Sequence, residues 1–245
     1  MDYFGTLFRD PKTTNIVSQL RVVKHFPRFF TVEEGAYIGR LVILVEVEEV
    51  LKNFKKDKSP SPNGWTVEFY LHFFDLLGEE ILQMIEETRT LGLVLGALNT
   101  TLLALIPKVD KVESFKDFRP ISLCSLAYKN ITKIISNRIK PNLDKWMSME
   151  QFGFLENRQI VEAIEVTQEV LHSVKTNNLE SLILKLDLVK AYDKVYWVDL
   201  RLVLLHIGLP YQVTKWIMAC VSSTNFAVFL NGSPSSFFKS SRGLR

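Results

Sequence analysis

An apolar run that ends in a carboxylate and passes straight into a helical pattern leaves a chain few ways to fold. Leu182-Ile183-Leu184-Lys185-Leu186-Asp187-Leu188 is such a run, with Tyr192 five residues beyond the acid and a largely apolar helical pattern over 190–206. A short apolar stretch of this length predicts a buried strand, and Gly208 and Pro210 close the helix behind it. An acid at the C-terminal end of such a strand suits a hard cation, and an aromatic beside it suits a check on shape. The plainer alternative for Asp187 is a cap on the following helix.

The rest of the chain supplies elements of both kinds. Helices are predicted over 46–54, 66–77, 81–90, 129–146, 160–174 and 211–222, with Gly78 dividing the second from the third. The helix over 129–146 is the clearest. Ile131, Ile134, Ile135, Ile139 and Leu143 form one stripe, Lys129, Lys133, Asn137 and Lys140 lie opposite, and Pro141 is expected to kink it. Thr101 to Pro107 predicts a strand, and the pair 226–230 and 235–239 predicts a hairpin, because Asn231-Gly232 supplies the positive φ angles of a tight turn. Between 55 and 64 the residues are turn formers, and 1–44 has weak periodicity, as in an extension or linker. Helix-rich first, then strand, helix, helix and hairpin: the order predicts an α+β fold.

Composition narrows the partners. With 245 residues, 47% hydrophobic and 23% charged, the chain is long and apolar enough to bury a core and unlike a disordered one. The net charge is only +3, but between Lys108 and Lys145 nine bases face four acids. That zone fits a polyanion, although solvated basic faces also produce such runs. Cys124 and Cys220 have no metal-ligand spacing and read as buried thiols of a reducing compartment. No apolar stretch reaches membrane-spanning length, the N-terminus has no signal-peptide core, and the four histidines share no motif.

Several blocks, in order, carry a family resemblance. Lys58-Ser59-Pro60-Ser61-Pro62-Asn63-Gly64 resembles the Lys-Ser-Pro-Gly-Pro-Asp-Gly loop of non-LTR (LINE-type) retrotransposon reverse transcriptases, especially those of plants. The stretch from Leu105-Ile106-Pro107-Lys108 through Asp117-Phe118-Arg119-Pro120-Ile121-Ser122-Leu123-Cys124 to Tyr128-Lys129 resembles the fingers motif of the same family. Asp187 to Asp193 with Trp197 resembles its first palm motif, and Gln151, Phe154, Arg158-Gln159-Ile160, Asn231-Gly232 and Ser241-Arg242-Gly243-Leu244-Arg245 are further matches. Ser61, Asn63 and Val189 depart from the family's usual residues.

The resemblance implies a right-hand polymerase: an extension over 1–44, fingers over 45–180 and the start of a palm over 181–245. It implies RNA-templated addition of a deoxynucleoside triphosphate to a DNA primer 3′ end, with two Mg²⁺ ions clamping the reacting oxygens. Asp187 and the Leu188 carbonyl would be metal ligands, Tyr192 the gate under the incoming sugar, and Lys108 and Arg119 the triphosphate cations. Lys129, Lys133 and Lys140 would track template phosphates, and Gln151 and Arg158 would lie near the template groove. The family's Gln-Gly-Asp-Pro and aromatic-Ala-Asp-Asp motifs do not occur here. The expectation is therefore a fingers and partial-palm fragment, inactive alone, with very weak Mg²⁺ binding, or a nucleic-acid-binding remnant without chemistry. The resemblance permits an intracellular, nuclear setting.

Overall fold

The computed structural model describes residues 2–11, 15–56, 64–155 and 158–244. Three short helices open the chain: α1 (Asp2–Leu7), α2 (Ile16–Val23) and α3 (Val32–Ile38). Asn15 caps α2, and Thr31 with Glu34 closes a reciprocal capping box on α3. Within residues 1–44, Phe4, Phe8, Phe29, Phe30 and Ile38 are buried. Burial of Phe4 on α1, Val23 on α2 and Ile38 on α3 gives these short helices a tertiary reason to form, which helical propensity over six to eight residues does not.

Four further helices follow. They are α4 (Leu44–Lys52), α5 (Val67–His72), α6 (Phe74–Leu91) and, after the first two strands, α7 (Leu126–Trp146). The expected break at Gly78 is absent. The helix breaks at Phe73 (φ −103, ψ 23), and α6 runs through Gly78 to its left-handed cap at Gly92. Gly78 is used for close approach, since a Cβ there would meet Leu44 Cδ1 and Phe74 Cζ at 3.1 Å. Pro141 lies inside α7, which continues past it to Trp146. The turn-rich loop over 57–63, including Lys58 and Asn63, lies outside the described residues.

The sheet is built from β1 (Thr100–Pro107), β2 (Phe118–Cys124), β3 (Asn225–Leu230), β4 (Ser233–Pro234) and β5 (Phe238–Lys239). Its order is β2-β1-β3-β4, with β5 also against β3. β1 and β2 are antiparallel, pairing Ile106 with Arg119, whereas β1 and β3 are parallel, pairing Thr101 with Phe226. Asn231 (φ 49) and Gly232 (φ 80) make the tight turn that the Asn-Gly pair predicts. α8 (Ile160–Thr176), α9 (Trp197–His206) and α10 (Tyr211–Ser222) fall between α7 and β3.

The main core lies where α4, α6, α7 and α10 meet, around Val47, Ile85, Ile131, Ile134 and Trp216. Each such side chain contributes about 1.5–3 kcal/mol on burial. Trp216 also donates its indole N–H to Thr88 Oγ1 at 3.0 Å, so the core carries a satisfied polar contact. Tyr128 Oη and Asn99 Nδ2 both donate to the Cys220 carbonyl, at 2.9 and 2.8 Å, tying α7 and β1 to the end of α10. Cys124 and Cys220 are buried and free, and no helix is long and apolar enough to cross a membrane among the described residues.

Two expectations around Asp187 are corrected. The run 182–188 is neither a strand nor buried: it is extended, unpaired and exposed throughout. A strand forms only against a neighbour, and β3 already has β1 on one side and β4 with β5 on the other. The helix expected from 190 begins at Trp197, because Lys190 takes a left-handed conformation (φ 54) and Tyr192–Lys194 makes a single 3₁₀ turn.

Candidate functional site

The local framework around residues 187–197 is set by backbone bonds to residues 243 and 244. Gly243 N–H donates to the Val195 carbonyl and Leu244 N–H to the Tyr192 carbonyl, both at 2.8 Å. Trp197 returns its indole N–H to the Gly243 carbonyl at 2.8 Å. Gly243 has φ 89, and a Cβ there would lie 2.8 Å from the Asp193 carbonyl oxygen, so glycine is required twice over. Two blocks that the sequence analysis took as separate matches, 187–197 and 241–244, thus form one unit.

α1 completes that unit from outside. Ser241 and Arg242 donate their backbone N–H groups to the Phe8 carbonyl at 2.8 and 3.2 Å, and Arg242 Nε donates to the Leu7 carbonyl at 2.8 Å. Lys190 Nζ donates to Tyr3 Oη at the end of α1 and lies 4.7 Å from the Tyr3 ring centroid. The same ring stacks on Phe115, centroids 6.1 Å apart, in the loop joining β1 and β2. Tyr3 therefore bridges the loop between β1 and β2 and the 187–197 block. Sequence reasoning passed over it, although Tyr3, Phe4, Leu7 and Phe8 already sit at one-face helical spacing.

Asp187 stands on the exposed extended segment and lines an open cleft of about 450 Å³ with Leu188, Lys194, Tyr196 and Asp199. Asp199 was not singled out from sequence. Burial pushes its carboxyl above the usual range, against a lowering contribution from the nearby Gln19, and Asp10 adds to the rise. Its Oδ1 is buried without a hydrogen-bond partner. Burial likewise raises Asp193, with Lys190 acting in the opposite sense. Tyr192 is exposed and meets Phe154 edge-on at 5.8 Å.

The other sequence candidates divide by what already engages them. Lys108 donates from Nζ to the Lys116 carbonyl at 3.1 Å, and its own backbone N–H binds the Asp117 carbonyl at 2.8 Å. Asp117 is held below the usual carboxylate range by backbone N–H groups of Ser114 and Glu113, with Lys108 a smaller contributor. Arg119 is exposed on β2 opposite Ile106. Lys129, Lys133 and Lys140 are half-buried along α7, whose opposite side buries Ile131, Ile134 and Ile135. Arg158 grips the turn after α7, donating to the carbonyls of Met147 (3.1 Å), Ser148 and Gln151 (2.8 Å). Gln151 donates to the Gly153 carbonyl at 3.1 Å. The structure thus brings Gln151 and Arg158 together through the backbone, with the Arg158 fork turned to main-chain carbonyls.

Magnesium asks for about six oxygens in octahedral geometry, with one or two carboxylates supplemented by phosphate and water. Among the described residues no three His, Cys, Asp or Glu side chains converge, and Asp187 is a single exposed carboxylate. This arrangement does not fit a magnesium site by itself.

The joined 187–197 and 241–244 blocks, with β2 and β3, belong to the stretch that matches a known family. Residues 106–245 match the reverse transcriptase (RNA-dependent DNA polymerase) family, and the chain belongs to it. It is also similar to the Transposon TX1 uncharacterized 149 kDa protein of Xenopus laevis, at 28% identity over 204 residues. That alignment covers 83% of this chain and 16% of the longer protein, so the chain spans about a sixth of its relative. Reverse transcriptases as a family use divalent metal ions.

Proposed function

We propose that this chain is the fingers and initial palm portion of a reverse transcriptase from a non-LTR, LINE-type transposable element. One observation carries the reading: the family match spans residues 106–245, a range that includes Lys108, Arg119, Asp187, Tyr192 and Gly243. Similarity to a transposon protein supports the element class. In this reading 1–44 is an N-terminal extension, 45–180 the fingers and 181–245 the start of the palm. The reaction of the whole enzyme is RNA-templated addition of deoxynucleotides to a DNA primer.

Within it, Lys108 and Arg119 meet the triphosphate, Arg119 through its planar fork and Lys108 as a point charge. Tyr192 lies under the incoming sugar and excludes a ribose 2′-hydroxyl. Lys129, Lys133 and Lys140 follow template phosphates, a contact that carries no sequence information. Gln151 and Arg158 shape the turn beside the template groove. Asp187 and the Leu188 carbonyl would supply part of the family's metal-holding oxygen set, which by themselves they do not complete.

The lone exposed carboxylate at Asp187 favours a second reading for this chain in isolation, namely binding without chemistry. The test is primer extension on an RNA template with magnesium, beside RNA binding over a range of salt. Salt-sensitive binding without extension is expected. Extension lost in Asp187→Ala would replace the binding-only reading with catalysis, and absence of RNA binding would remove both.

A further inference from the structure

A second cleft lies between α3, α4 and α7, and its floor is the buried ion pair of Arg138 on α7 with Glu46 on α4. It holds about 310 Å³, at the lower end of the sizes that take small ligands. Its rim carries Tyr37, in the last turn of α3, and Arg40 just beyond it. The Arg40 guanidinium carbon lies 3.9 Å from the Tyr37 ring centroid. Glu49 and Asn53, one turn apart on α4, and Asn137 on α7 complete the lining that matters here. All three are exposed, and none of their side-chain heads has a hydrogen-bond partner among the described residues.

We propose that this cleft binds a guanine base, at a place distinct from the cleft beside Asp187. The argument is which base edge its free groups can meet. An exposed aromatic ring beneath a guanidinium is a stacking platform for any base. A carboxylate only accepts hydrogen bonds, so Glu49 favours an edge with adjacent donors. Guanine offers two side by side, N1–H and the N2 amine. Adenine and cytosine place a ring-nitrogen acceptor beside their amine, and uracil flanks its one N–H with two carbonyls. The O6 and N7 acceptors of guanine then suit the amide groups of Asn53 and Asn137 and the Arg40 fork.

Other occupants fit less well. Arg138 and Glu46 neutralise each other, and Arg40 and Glu49 leave the rest of the cleft without net charge, so a lone phosphate or cation finds little to hold it. An RNA guanosine and a free guanosine nucleotide present the same edge. The surroundings favour RNA, because Lys133 and Lys140 lie four residues before and three after Asn137 on α7. That is the spacing of one helix face, where the phosphates on either side of an inserted base would pass. The guanine assignment stands on the cleft alone, and only its RNA source rests on the reading of this chain as RNA-binding.

The test is fluorescence anisotropy of the full chain with short labelled oligouridines carrying one central guanosine, inosine, adenosine or no purine. The guanosine oligomer is expected to bind about tenfold or more tighter than the adenosine and all-uridine ones. Inosine, which lacks the N2 amine, should fall between. Glu49→Gln should erase that ranking without abolishing binding of the all-uridine oligomer. Tyr37→Ala should weaken the guanosine oligomer by about tenfold, and Tyr37→Phe should not. Both positions are exposed, and circular dichroism should confirm unchanged folding. Calorimetric titration with guanosine and adenosine monophosphates separates the two sources. Guanosine monophosphate bound while no oligomer binds assigns the cleft to a free nucleotide and removes the RNA source alone. Equal affinity for all four oligomers, or a guanosine preference that survives Glu49→Gln, overturns the guanine site and leaves RNA binding standing. Neither oligomer nor monophosphate bound overturns both.

Discussion

The Arg138 guanidinium and the Glu46 carboxylate form a two-pronged pair, Nε to Oε1 at 2.7 Å and Nη2 to Oε2 at 2.6 Å, with the arginine side chain only 2% exposed. Arg138 also donates to the carbonyls of Ile38, Arg40 and Leu41 at 2.9, 2.7 and 3.0 Å. One side chain on α7 thereby satisfies the backbone between α3 and α4, which would otherwise be left without partners. A buried charge is tolerated here because its donors are used.

Removing one partner of that pair should be severe. Arg138→Ala is expected to cost about 3–5 kcal/mol, because Glu46 and three carbonyls lose their donors. Arg138→Lys recovers only part, since an ammonium lacks the planar fork. Urea denaturation of both variants checks this, and a loss within experimental error for Arg138→Ala would contradict it.

Gly243 should resist any side chain. Its φ of 89 and the 2.8 Å approach to the Asp193 carbonyl predict a cost of roughly 1–3 kcal/mol for Gly243→Ala. The effect should also show locally, as faster hydrogen exchange at Leu244 N–H, which donates to Tyr192. Unchanged exchange there would mean the two blocks are held by something else.

The carboxylates predict opposing pH trends. Glu86 is buried enough to oppose its charge, yet Arg89, the Val42 N–H and Arg138 hold it below the usual range. Its contribution is present above its unfolded value of 4.5 and lost as pH falls through the lowered folded value. Asp193 is raised above 3.8 by burial, against Lys190, so its contribution is present below 3.8 and lost as pH rises through the folded value. Asp193→Asn should therefore stabilise the protein at neutral pH, and Glu86→Gln should flatten the acid limb of a stability–pH curve. Denaturation midpoints across pH decide both signs.

If α7 follows a nucleic-acid backbone, its lysines set the salt response. Replacing Lys129, Lys133 and Lys140 together by alanine should reduce the log–log salt slope of single-stranded RNA binding by about 2. Filter binding at several salt concentrations measures it. An unchanged slope would assign the three lysines to a solvated helix face.

Local pattern carried much of this protein. The apolar periodicity of α7 and α10, the strand β1, the Asn231-Gly232 turn and the α+β content were all legible, because each depends on contacts within a few residues or on one apolar face. So was the family, since its motifs are short, ordered and chemically specific. Tertiary structure decided the rest. Whether 182–188 becomes a strand depends on a neighbour that no local pattern names, and among the described residues it has none. Whether Gly78 breaks a helix depends on Leu44 and Phe74 pressing against it. Tyr3 reaches Lys190 and Phe115, and Gly243 reaches Asp193 and Trp197, across separations that only folding closes. Sequence determined which segments have a face to bury; packing chose the partner, because burial and backbone pairing are properties of two surfaces and never of one.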